Sequence, residues 1–230
     1  MPLRPSPSND PVHHPVFSRV YAALSPRLDV RAGVAAHRRE LLAGLSGRVI
    51  EIGAGNGLNF AYYPETVSEV VAIEPERRLR RLAVEAAVRA GVPVDVVPGT
   101  AEALPVKSEA FDAAVLSMVL CSVRDVRRSL MELRRVVKPG GELRFFEHGR
   151  ASGRVPAAAQ RILDATVWPT LCGGCHTARD PLRSISAAGF EVGAYRRLRV
   201  PESRIPLPAS VFVLGTARRP AAGPEDPRSP

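Results

Sequence analysis

The stretch LCGGCHTARD, at residues 171–180, holds the residue types most readily associated with chemistry. Cys172, Cys175 and His176 form a C-x-x-C-H, which is the spacing of c-type haem attachment and also suits half a zinc site or a redox pair. Haem attachment belongs to oxidising compartments, and residues 1–15 contain no apolar run of the kind a secretory signal needs. No second ligand pair follows nearby in the sequence. We therefore expect neither haem nor metal, and a cytoplasmic protein.

A glycine-rich segment, EIGAGNGLNF at residues 51–60, follows a short β-branched run. Gly53, Gly55 and Gly57 form a G-x-G-x-G, whose third glycine comes one residue too early for a dinucleotide fingerprint. The tighter spacing lets the backbone approach a flat ligand that carries no pyrophosphate. Glu51 would suit a ligand with an ammonium or sulfonium centre, because a carboxylate attracts a nearby cation. The alternative is that the glycines only form a tight turn.

Three further residues stand at the ends of predicted strands. Glu74 ends the second strand and could accept hydrogen bonds from both hydroxyls of a ribose, or could cap the next helix. His148 ends the fifth strand and is the candidate general base, since a histidine titrates near neutral pH; the alternative is a histidine hydrogen-bonded at a strand end. Glu147 should face away from it, because neighbours in a strand alternate sides. Cys121 follows the fourth strand and either lines a pocket or is a small buried apolar residue.

The elements that would position these residues alternate between strands and amphipathic helices. Strands are predicted at 48–52, 69–75, 94–99, within 111–120, at 142–148, and near 191–199 and 208–217; helices are predicted within 16–45, at 76–91 and 125–141, and near 181–188. This alternation predicts a parallel sheet with helices on both faces. In such a sheet ligands bind at the carboxyl ends of the strands, where the residues above are found. Residues 149–180 are expected to be long and irregular.

Five segments occur in an order and spacing that resemble a known family. VIEIGAGNG, AIEP, GTAEALP, FDAAVLSMVL and LRRVVKPGGELRFFEH span about residues 48–148 and resemble the motifs of class I S-adenosylmethionine-dependent methyltransferases. The resemblance implies an α/β fold with a seven-stranded, mostly parallel Rossmann-like sheet and helices on both faces. It also implies that the protein is an enzyme and that its cofactor is S-adenosylmethionine.

The resemblance further implies that nine residues contact the cofactor. They are Glu51, Gly53, Gly55 and Gly57 for the methionine part, Glu74 for the ribose, Ala101 and Glu102 for the adenine, and Leu116 and Ser117 for the sulfonium end. One position departs from the family pattern. Many relatives have an aspartate where this chain has Thr100, so the contact to the adenine amine is either lost or made by a backbone group.

A narrower resemblance concerns the acceptor. VLCSV, FFEHG, Trp168 with Pro169, and GGCHTARD resemble segments of the thiol S-methyltransferases, which alkylate small thiols. Under this resemblance Cys175 and Arg179 match the family and Cys172 is extra. Residues 149–180 would then cover the substrate, with Trp168 supplying an apolar surface, Arg179 orienting a polar or acidic group, and Cys121 nearby. No run of about 18 apolar residues corresponds to the membrane anchor of those enzymes.

Other functions remain open at this stage. Besides a small-molecule methyl acceptor such as a thiol, the core motifs fit a lipid-amine or quinone methyltransferase, or a non-catalytic S-adenosylmethionine-binding module. An amino-directed DNA methyltransferase is disfavoured, because SMVLC stands where such enzymes carry a D/N-P-P-Y-type clamp. The sequence does not indicate an oligomeric state.

Charge and proline content complete the prediction. The net charge is +9, from 32 basic and 23 acidic residues, but the arginines are scattered and aromatic residues make up only 5%. We therefore expect no specific nucleic acid partner, and at most weak peripheral contact with an anionic membrane. Nine of the 22 prolines lie in residues 1–15 and 219–230, which predicts disordered tails around one domain at 16–218. Within it, helices at 16–45 would complete the wall of the site opposite the insertion at 149–180.

Overall fold

Seven strands form one sheet in the computed structural model, which describes residues 15–201 and 207–221. The strands are β1 (Gly47–Ile52), β2 (Val67–Ile73), β3 (Val94–Val97), β4 (Phe111–Ser117), β5 (Val137–His148), β6 (Glu191–Arg199) and β7 (Val211–Arg218). The helices of the described ranges are α1 (Pro15–Arg31), α2 (Val34–Leu42), α3 (Arg77–Ala87), α4 (Val126–Val136), α5 (Arg154–Asp164), α6 (Trp168–Leu171) and α7 (Pro181–Ala187). The two predicted tails lie almost wholly outside the described residues.

The strand order across the sheet is β3-β2-β1-β4-β5-β7-β6. The first five strands in space are parallel, whereas β7 runs antiparallel to both β5 and β6. The direction in which successive strands are added reverses between β1 and β4, and such a reversal opens a crevice at the carboxyl ends of the strands. The predicted α/β fold with a mostly parallel, seven-stranded sheet is confirmed.

Hydrophobic side chains pack against both faces of this sheet. Along β1, Ile50 belongs to a cluster on one face with Leu130 and Leu133 of α4. Its neighbour Val49 belongs to a second cluster on the other face with Leu41 of α2. The alternation follows from the period of two in a strand, so a run of apolar residues is buried on both sides. The carboxyl end of β1 is thereby held rigidly between two layers of helices.

Helices α3 and α4 begin at side-chain caps. Glu76 accepts a hydrogen bond from the backbone N–H of Leu79 at 2.8 Å, and Asp125 accepts one from that of Arg128 at 2.9 Å. The helix predicted at 125–141, with Pro139 and Gly140 as its stop, corresponds to α4, which ends earlier, at Val136. Residues from 137 onward belong to β5.

The insertion after β5 is more ordered than predicted. Residues 154–164 form α5, so the expectation of an irregular segment is wrong there. Gln160 is fully buried, and its amide donates hydrogen bonds to the carbonyl oxygens of Gly149 at 3.0 Å and Pro208 at 3.1 Å. Asp164 accepts hydrogen bonds from the backbone N–H groups of Thr177 at 2.7 Å and Ala178 at 2.9 Å, which returns the chain toward the sheet. Across the described ranges, no helix combines the length and apolar character that a bilayer crossing requires.

Candidate active site

The glycine loop after β1 has a backbone that side chains would obstruct. Gly53 and Gly55 have φ values of 66° and 60°, in the left-handed region that favours glycine. A Cβ on Gly53 would lie 2.8 Å from Val119, and one on Gly55 would lie 3.5 Å from the ring of Tyr21. Val119 therefore packs so closely that Gly53 allows no side chain, and the Tyr21 ring covers Gly55. The contact of Gly53, Gly55 and Gly57 with the cofactor stays a prediction.

Glu74, just after β2, ties this loop to the second strand. Its two carboxylate oxygens accept hydrogen bonds from the backbone N–H of Gly55 at 2.7 Å and of Glu76 at 2.9 Å. The side chain is buried, and burial raises the pKa of Glu74 to about 7. Each oxygen keeps a second lone pair, so both bonds are compatible with accepting ribose hydroxyls as well. The contact to the ribose stays a prediction.

Glu51 lies beneath the loop and is also engaged by the protein. Asn59 donates a hydrogen bond to one carboxylate oxygen and the Tyr63 hydroxyl donates to the other, both at 2.7 Å. Only 1% of Glu51 is exposed, and burial raises the pKa of its carboxyl to about 7. Glu51 thus fixes the segment that follows the glycines. Its predicted attraction to the methionine part of the cofactor stays a prediction.

Because the pKa of Glu51 is raised, the free energy of unfolding should depend on pH. The folded chain holds this proton more tightly than the unfolded chain, so the contribution of Glu51 to the free energy of unfolding falls as pH rises from about 4.5 to about 7. Glu51→Gln should remove that fall, which amounts to as much as about 3 kcal/mol. Urea unfolding at about pH 5 and about pH 8 would measure it. The exposed Glu65→Gln should keep the wild-type slope, and an identical slope in Glu51→Gln would contradict the assignment.

Arg38 of α2 is a buried cation that sequence analysis missed. Its guanidinium donates hydrogen bonds to Asp29 at 2.7 Å, to Asn59 at 2.8 Å and to the Ser117 hydroxyl at 3.2 Å. It therefore connects both N-terminal helices with the end of β4 and the segment below the glycine loop. A sequence signal existed: Arg38 lies four residues after the buried Val34, on the apolar face of its helix.

The residues predicted to contact the sulfonium end of the cofactor lie at the end of β4, and those predicted to contact its adenine lie in the loop after β3. Leu116 and Ser117 end β4, both nearly buried, beside the glycine loop. Ala101 is buried in the loop after β3. Glu102 accepts hydrogen bonds from the backbone N–H groups of Arg124 at 2.9 Å and Asp125 at 3.3 Å, so it fixes the start of α4. The adenine contacts of Ala101 and Glu102 stay predictions.

The turn after β4 is held by a buried carboxylate from β5. Met118 has a φ of 61°, unusual for a residue other than glycine. Glu147 accepts hydrogen bonds from the backbone N–H groups of Val119 at 2.8 Å and Leu120 at 3.0 Å. Burial raises the pKa of Glu147 to about 8. The His148 ring packs on Phe212, with centroids 4.2 Å apart. The Glu147 carboxyl interacts electrostatically with both Cys121 and His148, so its facing away from His148 stays a prediction.

A cysteine and histidine cluster forms where β4, β5 and the insertion meet. Ligand atoms of Cys121, His148 and Cys175 all lie within 4.8 Å of one another. Both cysteines are free and buried, and the hydrogen bond to Cys175, together with burial, raises the pKa of the Cys121 thiol. Within the described ranges, Nδ1 of His148 is buried and has no hydrogen-bond partner. The C-x-x-C-H does not act as a unit here, because neither Cys172 nor His176 belongs to the cluster.

The insertion packs on the turn that carries Cys121. The backbone N–H of His176 donates a hydrogen bond to the carbonyl of Cys121 at 2.8 Å. Arg179 donates to the carbonyl oxygens of Leu120 at 2.6 Å and Val123 at 2.8 Å, so it stabilises the turn. Its predicted contact with a substrate stays a prediction. Trp168 begins α6, and its indole Nε1 is buried without a hydrogen-bond partner in the part of the chain that the structure describes.

Helix α1 contacts both the glycine loop and the insertion. The Tyr21 ring lies over Gly55, and the Phe17 ring would be 2.7 Å from a Cβ on Gly173. The two rings stack on each other, with centroids 5.4 Å apart. The first of the helices predicted within 16–45 therefore contacts both the glycine loop and the insertion. Its role as the wall of the site opposite the insertion stays a prediction.

Several known proteins are similar to this chain in sequence or in fold. The family described as Methyltransferase domain matches residues 50–145. Thiol S-methyltransferase TMT1B of Rattus norvegicus is 32% identical over 155 residues, which cover 65% of this chain and 63% of that protein. Thiol S-methyltransferase TMT1A of Homo sapiens is 30% identical, and the match covers 74% of each chain. Demethylmenaquinone methyltransferase of Thermobifida fusca is 37% identical over 65% of this chain and 71% of that protein.

A solved structure supports the same fold. An S-adenosylmethionine-dependent methyltransferase of Mesorhizobium loti has a TM-score of 0.62 at 20% identity, covering 84% of this chain and all of the other. The residues present fit the cofactor, because the glycine loop follows β1 at the carboxyl edge of the sheet and the Glu74 carboxylate lies beside it. Fold, glycine loop and relatives agree: the chain belongs to the class I S-adenosylmethionine-dependent methyltransferases, and S-adenosylmethionine is its cofactor.

Proposed function

We propose that this enzyme methylates the sulfur of a small thiol. The observation that carries the proposal is the position of Cys175 beside Cys121 and His148, at the carboxyl ends of β4 and β5. These residues lie in three of the four segments that resemble thiol S-methyltransferases, and two relatives at 30–32% identity bear that name. The acceptor would enter between the insertion and the end of the sheet.

In this reaction the protein mainly has to position the cofactor and the acceptor and to exclude water. S-adenosylmethionine supplies a methyl group already activated on a sulfonium sulfur, so an in-line displacement needs no further activation of the carbon. The Ser117 end of β4 and the glycine loop place the cofactor, while α1 and the insertion cover the site. The acceptor thiol must lose its proton, because the thiolate is the nucleophile. Because His148 lies within the cysteine and histidine cluster, we assign the removal of this proton to Cys121, His148 and Cys175 together.

Trp168 is assigned to the acceptor side of the site. Its indole ring gives α6 an apolar surface, and its buried N–H has no hydrogen-bond partner among residues 15–201 and 207–221. An unpaired buried donor of this kind lowers stability by about 1–3 kcal/mol. A bound methyl-acceptor substrate that accepts a hydrogen bond from this N–H would remove that loss. The cofactor loop lies at the end of β1 instead. Trp168 therefore distinguishes acceptor binding from cofactor binding.

The acceptor class is tested with labelled S-adenosylmethionine and a panel of thiols, amines, phenols and quinols. We expect turnover with a small, partly apolar thiol. Trp168→Ala should raise the Michaelis constant for that thiol about tenfold, equal to about 1.4 kcal/mol, and leave cofactor affinity nearly unchanged. Leu171→Ala, an exposed change on the same helix, serves as the matched control.

A quinone acceptor is the second candidate, favoured by the 37% identity to the demethylmenaquinone methyltransferase. It predicts methylation of a ring carbon in the quinol and none of the thiols. Such a result would overturn the thiol proposal. Equal effects of Trp168→Ala on cofactor and acceptor would show that the residue is only core packing.

A further inference from the structure

The cysteine and histidine cluster has the composition and spacing of a metal site. Tetrahedral zinc binds sulfur at about 2.3 Å and imidazole nitrogen at about 2.1 Å, which places its ligand atoms about 3.5–3.8 Å apart. The ligand atoms of Cys121, His148 and Cys175 already lie within 4.8 Å of one another, so a closure of about 1 Å would complete the site. We propose that these three side chains bind a zinc ion and leave its fourth position open to the acceptor thiol.

The unpartnered histidine nitrogen is an independent observation that points to a ligand. Nδ1 of His148 is buried and finds no hydrogen-bond partner in the described part of the chain. The ring cannot easily turn away, because it packs on Phe212 and stands opposite that residue in the β5–β7 ladder. A buried polar atom without a partner is unfavourable, and an imidazole nitrogen is a common zinc ligand. A metal ion bound through Nδ1 would therefore satisfy an atom that the protein leaves without a partner.

The backbone around the cluster is fixed by hydrogen bonds to side chains. Glu147 holds the turn before Cys121 through two backbone N–H groups, and Arg179 holds it through two carbonyl oxygens. The backbone of His176 then joins the insertion to Cys121. Side chains from three separate segments are thus held toward one point before any ion binds. Such support around the ligands is typical of functional metal sites.

The charges around the cluster suit a site that takes up one more anion. Two thiolates neutralise Zn²⁺, so an acceptor thiolate in the fourth position would leave a net negative charge. The guanidinium of Arg179, which bonds the carbonyl oxygens of Leu120 and Val123 on either side of Cys121, would offset it. Cys172 lies outside the cluster, which leaves two cysteines and one histidine as protein ligands. That three-ligand set is one used by catalytic zinc sites, whereas structural sites have four protein ligands.

The role of the ion rests on the proposed function. An acceptor thiol that takes the fourth position loses its proton to solvent, because a coordinated thiol is deprotonated. The thiolate sulfur then forms a bond to the methyl carbon while the electron pair of the broken carbon–sulfur bond returns to the sulfonium sulfur. One proton is released per methyl group and no oxidant is consumed. The methylated product is a neutral thioether, a weaker ligand than a thiolate, and leaves the ion.

Metal content tests the site without reference to activity. The full chain is loaded with zinc chloride, dialysed and analysed for zinc; wild type should hold about one ion per chain. Cys121→Ser, Cys175→Ser and His148→Ala should each weaken zinc binding at least about 100-fold. Cys172→Ser is the matched control and should bind zinc like wild type. Calorimetry with S-adenosylhomocysteine verifies that each variant is folded. Wild type without zinc, zinc retained by folded Cys175→Ser, or zinc lost by folded Cys172→Ser would each overturn the proposal.

Cobalt substitution tests the open position. Thiolate–cobalt charge-transfer bands should appear in wild type and change when the acceptor thiol is added, and phenol should leave them unchanged. Removing the metal with a chelator should lower thiol methylation at least about tenfold, and zinc should restore it. Undiminished methylation by metal-free enzyme would overturn the role of the ion and leave the proposed function standing. Zinc bound with the expected ligand dependence, but no thiol methylated, would overturn the proposed function and leave the site standing.

Discussion

Replacing Gly55 by valine should abolish binding of S-adenosylmethionine and S-adenosylhomocysteine. The backbone at Gly55 has a φ of 60°, and a Cβ there would already lie 3.5 Å from the ring of Tyr21, so a branched side chain would displace that ring or the loop. The change would also disturb the hydrogen bond from the backbone N–H of Gly55 to Glu74. We expect affinity to fall more than about 100-fold, equal to about 2.7 kcal/mol.

Gly33→Val is the matched control for this change. Gly33 has a similar φ of 73°, but a Cβ there would meet nothing within 4 Å. Both variants should lose about 1–2 kcal/mol of stability from the left-handed backbone, and only Gly55→Val should lose ligand binding. Thermal unfolding of both variants measures the backbone strain, and titration calorimetry with S-adenosylhomocysteine measures the loss of ligand binding. Equal affinities of wild type and Gly55→Val would refute the assignment of this loop.

The largest loss of stability is expected from Arg38→Met. Only 4% of Arg38 is exposed, and its guanidinium forms a buried ion pair with Asp29 while bonding Asn59. Removing one partner leaves an uncompensated buried charge, which costs about 3–5 kcal/mol. The free energy of unfolding in urea should fall by that amount. Affinity for S-adenosylhomocysteine should fall too, because Arg38 also fixes Ser117 beside the glycine loop.

Two further variants isolate the cause. Arg39→Met changes the adjacent, exposed arginine of α2 and should alter stability by less than about 1 kcal/mol. The double change Asp29→Leu with Arg38→Met removes both charges, so it should recover part of the loss seen in Arg38→Met alone. A double variant as unstable as the sum of the two single variants would show that the ion pair is not the source of the effect.

The strands and the glycine loop could be predicted because their signals are local. Buried parallel strands appear as short β-branched runs such as RVIEI, and glycine or proline marks their ends. Helix α5 was missed although its apolar residues Val155, Ala158, Ala159 and Ile162 recur at helical spacing. In the structure Val155 and Ile162 of that face are exposed, and the buried residues of the helix are Ala157 and Gln160.

The cysteine and histidine cluster could not be predicted because its members are distant in sequence. The C-x-x-C-H drew attention to Cys172 and His176, but only Cys175 belongs to the cluster. Its neighbours Cys121 and His148 become adjacent only because β4 and β5 are parallel partners and the insertion returns to their ends. Arg38 was missed for another reason: a charged residue is usually exposed, although this one lies on the apolar face of its helix.

Helix α1 joins the glycine loop to the insertion. Tyr21 lies on the glycine loop and Phe17 on the insertion, one turn apart on the same helix and stacked on each other. A displacement of α1 that breaks the Tyr21 contact would therefore also break the Phe17 contact. With the cofactor at the glycine loop and the acceptor beneath the insertion, as predicted and proposed above, such a movement would open both binding places at once.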